Sequence, residues 1–541
     1  IYTQTSNTDN YLPPEHTSFA DYTDENYFRR GSYDYSTNKS SRYNFSLTAN
    51  YSKVFAEKHM VYAGLNMDLE DQRSRGYSFS VEGFPSGSLD FLSVAMQYKE
   101  NGKPGGSESK SRRVGFVGNA SYSFEDRYFV DASFRTDGSS LYGSDRRFAP
   151  FWSAGIGWNI HREGFMSDVD WINRLKIRAS VGETGSNNFS SYEAMATYAY
   201  SLSDRYYNWM GANMKALANP DLEWQKTMKY NAGIEVNMLN NRLSMICDLY
   251  LERTNGLMSS LELPPSNGFS SYKANIGKLE NKGFELKVTG YLLRDTEREL
   301  IWSVTGSLVR NKDKIIELSE AMKEANATLL ETGGATPNKI WQEGDSQNAI
   351  YAVRSLGIDP SNGRELFLKK NGEVTYTWDA NDRVFCGVDQ PDYRGNINTM
   401  FMWKDLSVNL SFGYEWGGQQ YNSTLISRVE NADKKYNVDR RVYEDRWKEP
   451  GDRTFFKGIN ETTAPQATSR FVQDEATFTC QNLNVTYDLK GNKWLKRNLG
   501  IQTLTLKGDI ADLFRISTIK QERGTSYPFS RQFSFTLSAM F

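Results

Sequence analysis

The chain has 541 residues, a formal net charge of -2 and 14% aromatic residues, yet only 38% of its residues are hydrophobic. So many aromatic residues exclude a disordered or collagen-like chain, and the balanced charge provides no basic field for nucleic acid. No stretch approaches the ~18 uncharged apolar residues of a membrane-spanning helix, which excludes a helical membrane protein. The composition also argues against the three or four soluble domains that the length suggests at about 150 residues per domain.

Cysteine and histidine are too few and too scattered to build a compact metal or catalytic site. The sequence has three of each and no C-x-x-C motif, so neither a zinc site nor a redox pair is indicated. We therefore assign no catalytic residue, no metal and no cofactor. The residues concerned are Cys247, Cys386, Cys480, His16, His59 and His161.

Apolar and polar residues alternate with a period of two along most of the chain, which is typical of β-strands. In residues 42–52, for example, Tyr43, Phe45 and Leu47 share one face, and polar residues occupy the other. The same pattern predicts strands in chain order at 42–52, 59–69, 112–124, 127–136, 150–160, 173–183, 228–238, 242–252, 283–291, 300–310, 398–403, 405–415, 478–488, 499–508 and 530–541, with a further short one near 27–35.

The connections between these strands alternate between short turns and long loops. Glu125-Asp126 and Leu239-Asn240-Asn241, for instance, join neighbouring strands directly. Short turns at one end and long loops at the other are characteristic of outer-membrane barrels. The long loops are expected at about 70–111, 184–227, 253–282, 311–397, 416–477 and 509–529.

A transmembrane antiparallel β-barrel explains both the composition and the loop pattern. In a bilayer every backbone N–H and C=O must be paired within the protein, so only a closed sheet can span the membrane with strands. The outer face is then apolar and the lumen polar, while Tyr and Trp collect at the interfaces. Four tryptophans lie at or near predicted strand ends: Trp158, Trp302, Trp403 and Trp416.

The C-terminal strand resembles the assembly signal of bacterial outer-membrane barrels. Phe533, Phe535, Leu537 and Phe541 share one face, and the chain stops on the last of them. Counting back from this strand gives about 16 strands, whereas a barrel of about 22 strands is wide enough to need a plug. We therefore expect about six strands and the plug domain to be missing from this all-β chain, which as a whole (1–541) is the C-terminal portion of a barrel.

Several motifs resemble those of one family, the SusC/RagA-like TonB-dependent transporters. Residues 219–227 (NPDLEWQKT) are similar to its N-P-x-L-x-W-E-x-T box, and 275–286 resembles its N-I-G…N-K-G-F-E-L element closely. One small departure occurs after strand 173–183, where Gly185-Ser186-Asn187-Asn188 replaces the usual G-N-Q-like element. The similarity covers nearly the whole chain in the right order. Further matches are 131–140 (DASFRTDGSS), 241–244 (NRLS), 248–250 (DLY), 357–360 (GIDP), 446–447 (RW), 450–452 (PGD), 527–528 (YP) and Arg531.

The resemblance implies active import of oligosaccharides or oligopeptides across the outer membrane of a Gram-negative bacterium. In this family a SusD-like surface lipoprotein covers the long loops and captures the ligand, and the TonB complex supplies energy. No plug domain or TonB box is found in the sequence, so energy coupling, the plug and the remaining N-terminal barrel are expected from outside this chain. Membrane lipid is the other expected partner.

Aromatic and polar residues of the long loops are the candidate ligand contacts, since aromatic rings stack on sugar faces and carboxylates or amides bind hydroxyl groups. The alternative for each is packing within the loops or against the lipoprotein. The candidates are Trp341, Trp378, Asp389, Tyr393, Trp416, Tyr421 and Arg446.

Two other classes of protein were weighed. A secreted β-rich glycosidase needs two carboxylates across a cleft, but no motif nominates a pair, so we predict that the chain is not an enzyme. A non-transporting barrel, such as an adhesin, is the alternative that the strand pattern leaves open.

Overall fold

The computed structural model describes most of the chain in one large β-structure. The described residues are 2–6, 19, 27–85, 91–99, 102–186, 192–207, 209–262, 268–269, 271–275, 277–318, 320–331, 333–432, 438–461, 463–490, 493–520 and 530–541.

Seventeen strands of the described chain join in one antiparallel sheet. Each long strand pairs with the next long strand along the chain, and tight turns and longer loops alternate in joining the pairs. The strands are β1 (Tyr2–Ser6), β2 (Ser32–Phe55), β3 (His59–Glu82), β4 (Gln97–Tyr98), β5 (Gly105–Phe124), β6 (Tyr128–Ser139), β7 (Phe148–Asn159), β8 (Ile172–Ser186), β11 (Gln225–Met238), β12 (Leu243–Asn255), β15 (Lys278–Asp295), β16 (Leu300–Glu317), β21 (Tyr393–Trp403), β22 (Leu406–Tyr421), β23 (Val472–Lys490), β24 (Thr503–Ser517) and β25 (Phe533–Met540).

The remaining elements belong to the connections. Among the described residues, no helix is both long and apolar enough to cross a membrane. The smaller strands are β9 (Thr197–Tyr206), β10 (Trp209–Ala216), β13 (Met258–Glu262), β14 (Ser271–Asn275), β17 (Ala349–Ile358), β18 (Glu365–Leu368), β19 (Val374–Thr375) and β20 (Arg383–Val388). The helices are α1 (Glu320–Glu331), α2 (Arg441–Glu444), α3 (Lys493–Leu499), a π-helical turn at Leu425–Glu430, and 3-10 turns at Tyr27–Arg29, Leu92–Val94, Ile160–Arg162, Gly164–Met166, Ala380–Asp382 and Ser469–Phe471.

The fifteen long strands confirm the strands predicted from the alternation, but they run farther into the loops than predicted. β3 continues to Glu82 and β5 begins at Gly105, so residues 70–82 and 105–111 belong to the sheet rather than to the loop. The reason is that backbone pairing continues after the apolar alternation ends. The other long loops are trimmed in the same way at 184–186, 225–227, 253–255, 278–282, 311–317, 393–397, 416–421, 472–477 and 509–517.

Two further details differ from the sequence prediction. The short strand expected near 27–35 is a 3-10 turn at Tyr27–Arg29 followed by the first residues of β2. The strand expected at 499–508 begins at Thr503, because Lys493–Leu499 is helical. The part of the last long loop at 521–529 lies outside the described residues.

The short turns require backbone conformations that fit the twist of the strands. Ala56 and Glu57, and likewise Glu125 and Asp126, all have positive φ angles between 47° and 55°. Two consecutive positive φ values define a turn whose twist matches that of a hairpin. The tight turns therefore fix the register at one end of the sheet, while the long loops occupy the other end.

The register separates an apolar face from a polar face. Leu410 lies opposite Leu483 on the neighbouring strand, whereas Asn409 lies opposite Asn484. The Asn484 amide donates to Asp509 at 2.6 Å, so the polar rows bond to one another across strands. The apolar rows have no such partners and are suited to lipid.

The C-terminal strand continues the apolar face. Phe533, Phe535 and Leu537 lie opposite Ile510, Gly508 and Leu506 of β24. Their side chains are 62–74% exposed, and Phe541 follows directly after the strand. Their predicted role in assembly stays a prediction.

The two faces predict opposite responses to the same substitution in β22. Leu410→Arg should lower the free energy of unfolding by about 2–4 kcal/mol, because it places a charge on the lipid face. Asn409→Arg should be tolerated, because its side chain faces the polar side. Urea titration of the full-length protein folded into lipid vesicles measures both, and equal losses would show that the faces are assigned incorrectly.

Candidate functional site

A polar recess lies on the inner face of β16, β21, β22 and β23. Arg394 and Glu415 stand directly opposite each other on neighbouring strands, and no ion pair joins their side chains among the described contacts. The recess has a volume of about 280 Å³. Its charged and amide groups are therefore available to a solute in the lumen. The other polar residues that line it are Ser307, Asn396, Thr477, Thr479 and Gln481.

Two long loops fold together at the loop end of the sheet, and we call residues 318–392 and 422–471 the loop assembly. Backbone bonds link them, since Val353 N donates to Ala467 O at 3.3 Å and Ala467 N donates to Gly334 O at 2.7 Å. Val353 and Thr468 also form a parallel β-bridge. The two loops thus form one packed structure.

An apolar core holds the second loop together. It consists of buried side chains from the π-helical turn and from the neighbouring segments. Burial of a side chain of this size contributes about 1.5–3 kcal/mol, which favours a defined loop conformation. The core residues are Leu425, Ile426, Val429, Val442, Phe456 and Phe471.

A buried arginine connects the two loops. Arg470 donates to Glu430 of its own loop at 2.6 and 2.9 Å and to Glu365 of the other loop at 2.8 and 3.0 Å. Its side chain is only 4% exposed. Burial on its own would lower the pKa of Arg470, but the hydrogen bonds to Glu430 and Glu365 raise it above its ordinary value. The guanidinium stays charged and holds both loops at one point.

Two of the sequence motifs meet in the loop assembly. Trp447 Nε1 donates to the carbonyl of Pro360 at 2.9 Å, and Gly451 N donates to the same oxygen at 2.8 Å. The ring of Trp447 lies against Gly363, where an added Cβ would come within 2.4 Å of it. These motifs are therefore junctions between loops.

Two further motifs, 219–227 and 275–286, form a second junction. Asn275 accepts from the backbone N–H of Glu223 at 2.9 Å and donates to its carbonyl at 2.8 Å. Trp224 stacks on Tyr142 with 4.3 Å between ring centroids, and Leu222 is fully buried. These motif residues thus fix the positions of the loops.

Three of the predicted ligand residues lie in the first loop. Trp341 is half-buried, and its Nε1 donates to the carbonyl of Gln347 at 3.2 Å. Trp378 is also half-buried and donates to the carbonyl of Ala467 at 3.2 Å. Asp389 is exposed, although the surrounding protein raises the pKa of its carboxyl by desolvation. Asp389 is thus the candidate of the three with an accessible functional group.

Tyr393 and Trp416 lie on the outer face at the loop end of β21 and β22. Their rings stack with centroids 5.3 Å apart, and Trp416 also stacks on Tyr414 at 5.3 Å. Trp416 shares the parity of Leu410, so the pair points away from the polar recess. This position is typical of the aromatic girdle of a barrel and favours a role at the membrane interface.

Tyr421 and Arg446 belong to the interior of the loop assembly. Tyr421 donates to the carbonyl of Ala335 at 2.8 Å. Arg446 is 5% exposed and donates to the carbonyls of Val429 and Glu430 at 2.7 Å each. Burial lowers the pKa of Arg446. Both side chains thus hydrogen-bond within the loops, and their predicted contact with a ligand stays a prediction.

The sequence reasoning missed the residues that organise the site. Glu415 falls on the polar face of the predicted strand 405–415, but Arg394 lies in the predicted loop 311–397, and nothing distinguishes either residue from other polar residues in the sequence. Arg470 and Glu365 lie far apart in sequence, and no motif joins them. Among the described residues, no three His, Cys, Asp or Glu side chains converge to hold a metal ion.

The antiparallel ladder with two-faced strands, tight turns at one end and folded loops at the other defines an outer-membrane β-barrel. The family model "TonB dependent receptor-like, beta-barrel" matches residues 2–509. The chain therefore belongs to this family of barrels in the outer membrane of Gram-negative bacteria, which are receptors rather than enzymes. The predicted fold, location and lack of enzymatic function are confirmed by this match.

Named relatives and solved structures agree with the family. TonB-dependent receptor P39 of Formosa agariphila is 24% identical over 519 residues, which is 86% of this chain and 48% of the relative. TonB-dependent receptor SusC of Bacteroides thetaiotaomicron is 27% identical over 338 residues, or 59% of this chain and 33% of SusC. The RagAB peptide importer in its open-open state has the same fold, with a TM-score of 0.82 at 23% identity, over 100% of this chain and 57% of its own. The matched segments thus span about half the length of P39 and a third of SusC.

The buried cation predicts a strong coupling between the two loops. Arg470→Met should destabilise the loop assembly by about 3–5 kcal/mol, because Glu430 and Glu365 would keep their buried charges without a partner. Hydrogen exchange of residues 422–471 in the full-length protein measures this as lost protection. The matched control is Arg440→Gln, which breaks an exposed ion pair with Glu444 and should cost below about 1 kcal/mol. Equal protection in the two variants would contradict the coupling.

Proposed function

We propose that this chain forms most of the barrel wall of an outer-membrane importer of the SusC/RagA type. The cargo is an oligosaccharide or an oligopeptide that passes through the polar lumen. The observation that supports this most directly is the polar recess with Arg394 and Glu415, which lies on the inner face of a barrel of the TonB-dependent receptor family. A barrel used only for adhesion has no need for charged groups left unpaired in its lumen.

The proposal requires parts that lie outside this chain. β25 pairs only with β24 among the described strands, and an unpaired strand edge is not stable in lipid. Further barrel strands would close the sheet, a plug would fill the lumen, and the TonB complex would supply energy to that plug. A SusD-like lipoprotein would cover the loop assembly and deliver the ligand.

The chemistry of the recess suits a polar cargo. Arg394 offers a fork of N–H donors for a carboxylate or for vicinal hydroxyls, and Glu415 accepts from ammonium or hydroxyl groups. Amide and hydroxyl side chains around them extend the hydrogen-bonding surface. Both proposed cargo classes present such groups.

The recess predicts that Arg394→Ala reduces uptake about tenfold, since a hydrogen bond to a charged group contributes about 1.5–3 kcal/mol. A deletion strain complemented with the full-length variant is supplied with labelled oligopeptides in one arm and labelled oligosaccharides in the other. The arm in which the wild type accumulates label identifies the cargo class. Uptake in neither arm, from a folded and surface-exposed protein, would leave a non-transporting barrel.

Trp416→Leu is the matched control for this experiment, because Trp416 lies near the same strand ends but on the outer face. Its uptake should remain at the wild-type level. A loss as large as that of Arg394→Ala would return Trp416 to the ligand-binding residues and contradict the assigned face.

The loop assembly predicts where the lipoprotein binds. Leu356 and Tyr443 are apolar side chains on its surface, with 54% and 69% exposure. Replacing both by Ser should reduce co-purification of the lipoprotein while assembly and surface exposure stay unchanged. Leu239→Asn is the control at the opposite end of the sheet, since Asn accepts the positive φ of 55° at that position. Undiminished co-purification of the double variant would remove the loop assembly as the lipoprotein surface.

A further inference from the structure

A groove runs across the outer face of five strands, on the side of the sheet that faces lipid. It has a volume of about 490 Å³. Its floor is one row of residues that lie directly opposite each other on β2, β3, β5, β6 and β7. These residues are Phe45, Leu69, Val114, Gly138 and Phe148.

The sequence produces the groove by placing a glycine in the middle of this row. Gly138 has no side chain, and the ring of Phe148 lies across the space, so that an added Cβ would be 2.4 Å from Phe148 Cε1. Phe45 and Phe148 remain 56% and 62% exposed. The groove thus has apolar walls that no other described residue covers.

Cations lie at and just beyond the loop end of the groove. Arg112 lies on the same face as Val114, two residues closer to the loop end. Arg73 and Lys110 lie opposite each other, two residues farther in the same direction. One carboxylate, Asp71, is shared by Arg112 at 2.9 Å and Arg73 at 3.1 Å. Two of the three cations are therefore joined to a single anion, and this end of the groove keeps a positive charge.

Arg147 adds a fourth cation beside Phe148. Its backbone carbonyl is fixed by the N–H of Ser139 at 3.1 Å and by Trp224 Nε1 at 3.4 Å. Arg147 borders the groove, and no ion pair or hydrogen bond of its guanidinium is found among the described residues. Glu70 also borders the groove, but its row (Asn44, Glu70 and Arg113) belongs to the inner face. Its carboxylate pairs there with Arg113 at 3.3 Å and Arg42 at 3.6 Å.

The height of the groove places it at the outer-leaflet headgroups. About ten residues separate Phe45 from the short-turn end of its strand at Phe55. At ~3.3 Å per residue and a strand tilt of about 40°, this distance is roughly 25 Å along the membrane normal. The apolar band of such barrels is also about 25 Å tall, with short turns at the periplasmic side. The apolar floor therefore lies at the upper edge of the band, and the cations lie just beyond it.

We propose that this groove binds a phosphate-bearing lipid of the outer leaflet. Arg112 and Arg147 bind the phosphate, because guanidinium groups form short, charge-assisted bonds with phosphate oxygens. An acyl chain lies against Phe45, Leu69 and Phe148. The order of apolar floor and cationic rim along the membrane normal matches the order of acyl chain and headgroup in the lipid. This site is independent of the proposed import, which takes place on the opposite face of the sheet.

The test uses the full-length protein purified in detergent and native mass spectrometry with added lipid A as the probe. We expect Arg112→Gln/Arg147→Gln to weaken lipid A binding at least tenfold. The single variant Arg147→Gln, which removes a side chain without a protein partner, should weaken it severalfold and covers the case in which the double variant fails to fold. The matched control is Arg253→Gln, an outer-face arginine near the loop end of its strand, which pairs with Glu280 at 2.9 Å. It should bind lipid A as the wild type does.

Two further arms decide the source of the phosphate. Lipid A from which the phosphate has been removed should bind at least tenfold more weakly, and inorganic phosphate at millimolar concentration should not displace lipid A. Equal binding of the dephosphorylated lipid would overturn the role of the arginines, and displacement by inorganic phosphate would show a free-anion site. Wild-type affinity in both arginine variants would also overturn the proposal.

Discussion

The membrane interior holds no water to bond backbone N–H and C=O groups, so the protein must pair every one of them within its own structure. This constraint determines the rest of the structure. The chain meets it with long strands in which each one bonds to its sequence neighbour, from β2 to β25. Once the ladder is set, side chains can only point to one face or the other, and a shift of one residue would exchange the faces completely. The polar lumen and the apolar exterior are thus a single consequence of register.

The tight turns fix that register at one end of the sheet, and the long loops hold the other end. At one end, non-glycine residues such as Ala56 and Glu57 accept positive φ angles to keep the hairpins closed. At the other end the strands extend past the membrane as polar ladders, and the loops fold onto one another through backbone bonds and buried charge. Both surfaces to which we assign a proposed function lie where this second end meets the lumen and the lipid.

The sequence predicts the strands well because the alternation is local. Residues 406–415 show it in every position, and the structure assigns Leu410 and Asn409 to the two faces accordingly. The loop bounds were predicted too wide, since residues such as those at 70–82 keep the ladder without keeping the apolar period. The roles of individual loop residues could not be predicted. No local sequence pattern indicates that Arg446 is buried against carbonyls, or that Arg470 pairs with Glu365, which is 105 residues away.

Arg470 pairs with both loops and therefore limits how the loop sequences of the protein can change. Transporter loops are the natural place for sequence change, since the strands beneath them are held by the ladder. Here, however, a foreign segment in place of residues 422–471 would remove Arg470 and leave Glu365 of the other loop buried without its partner. Chimeras that exchange one loop between homologues should therefore misfold unless the other loop is exchanged with it. On this argument, the surface of the loop assembly can change only when both loops are replaced together.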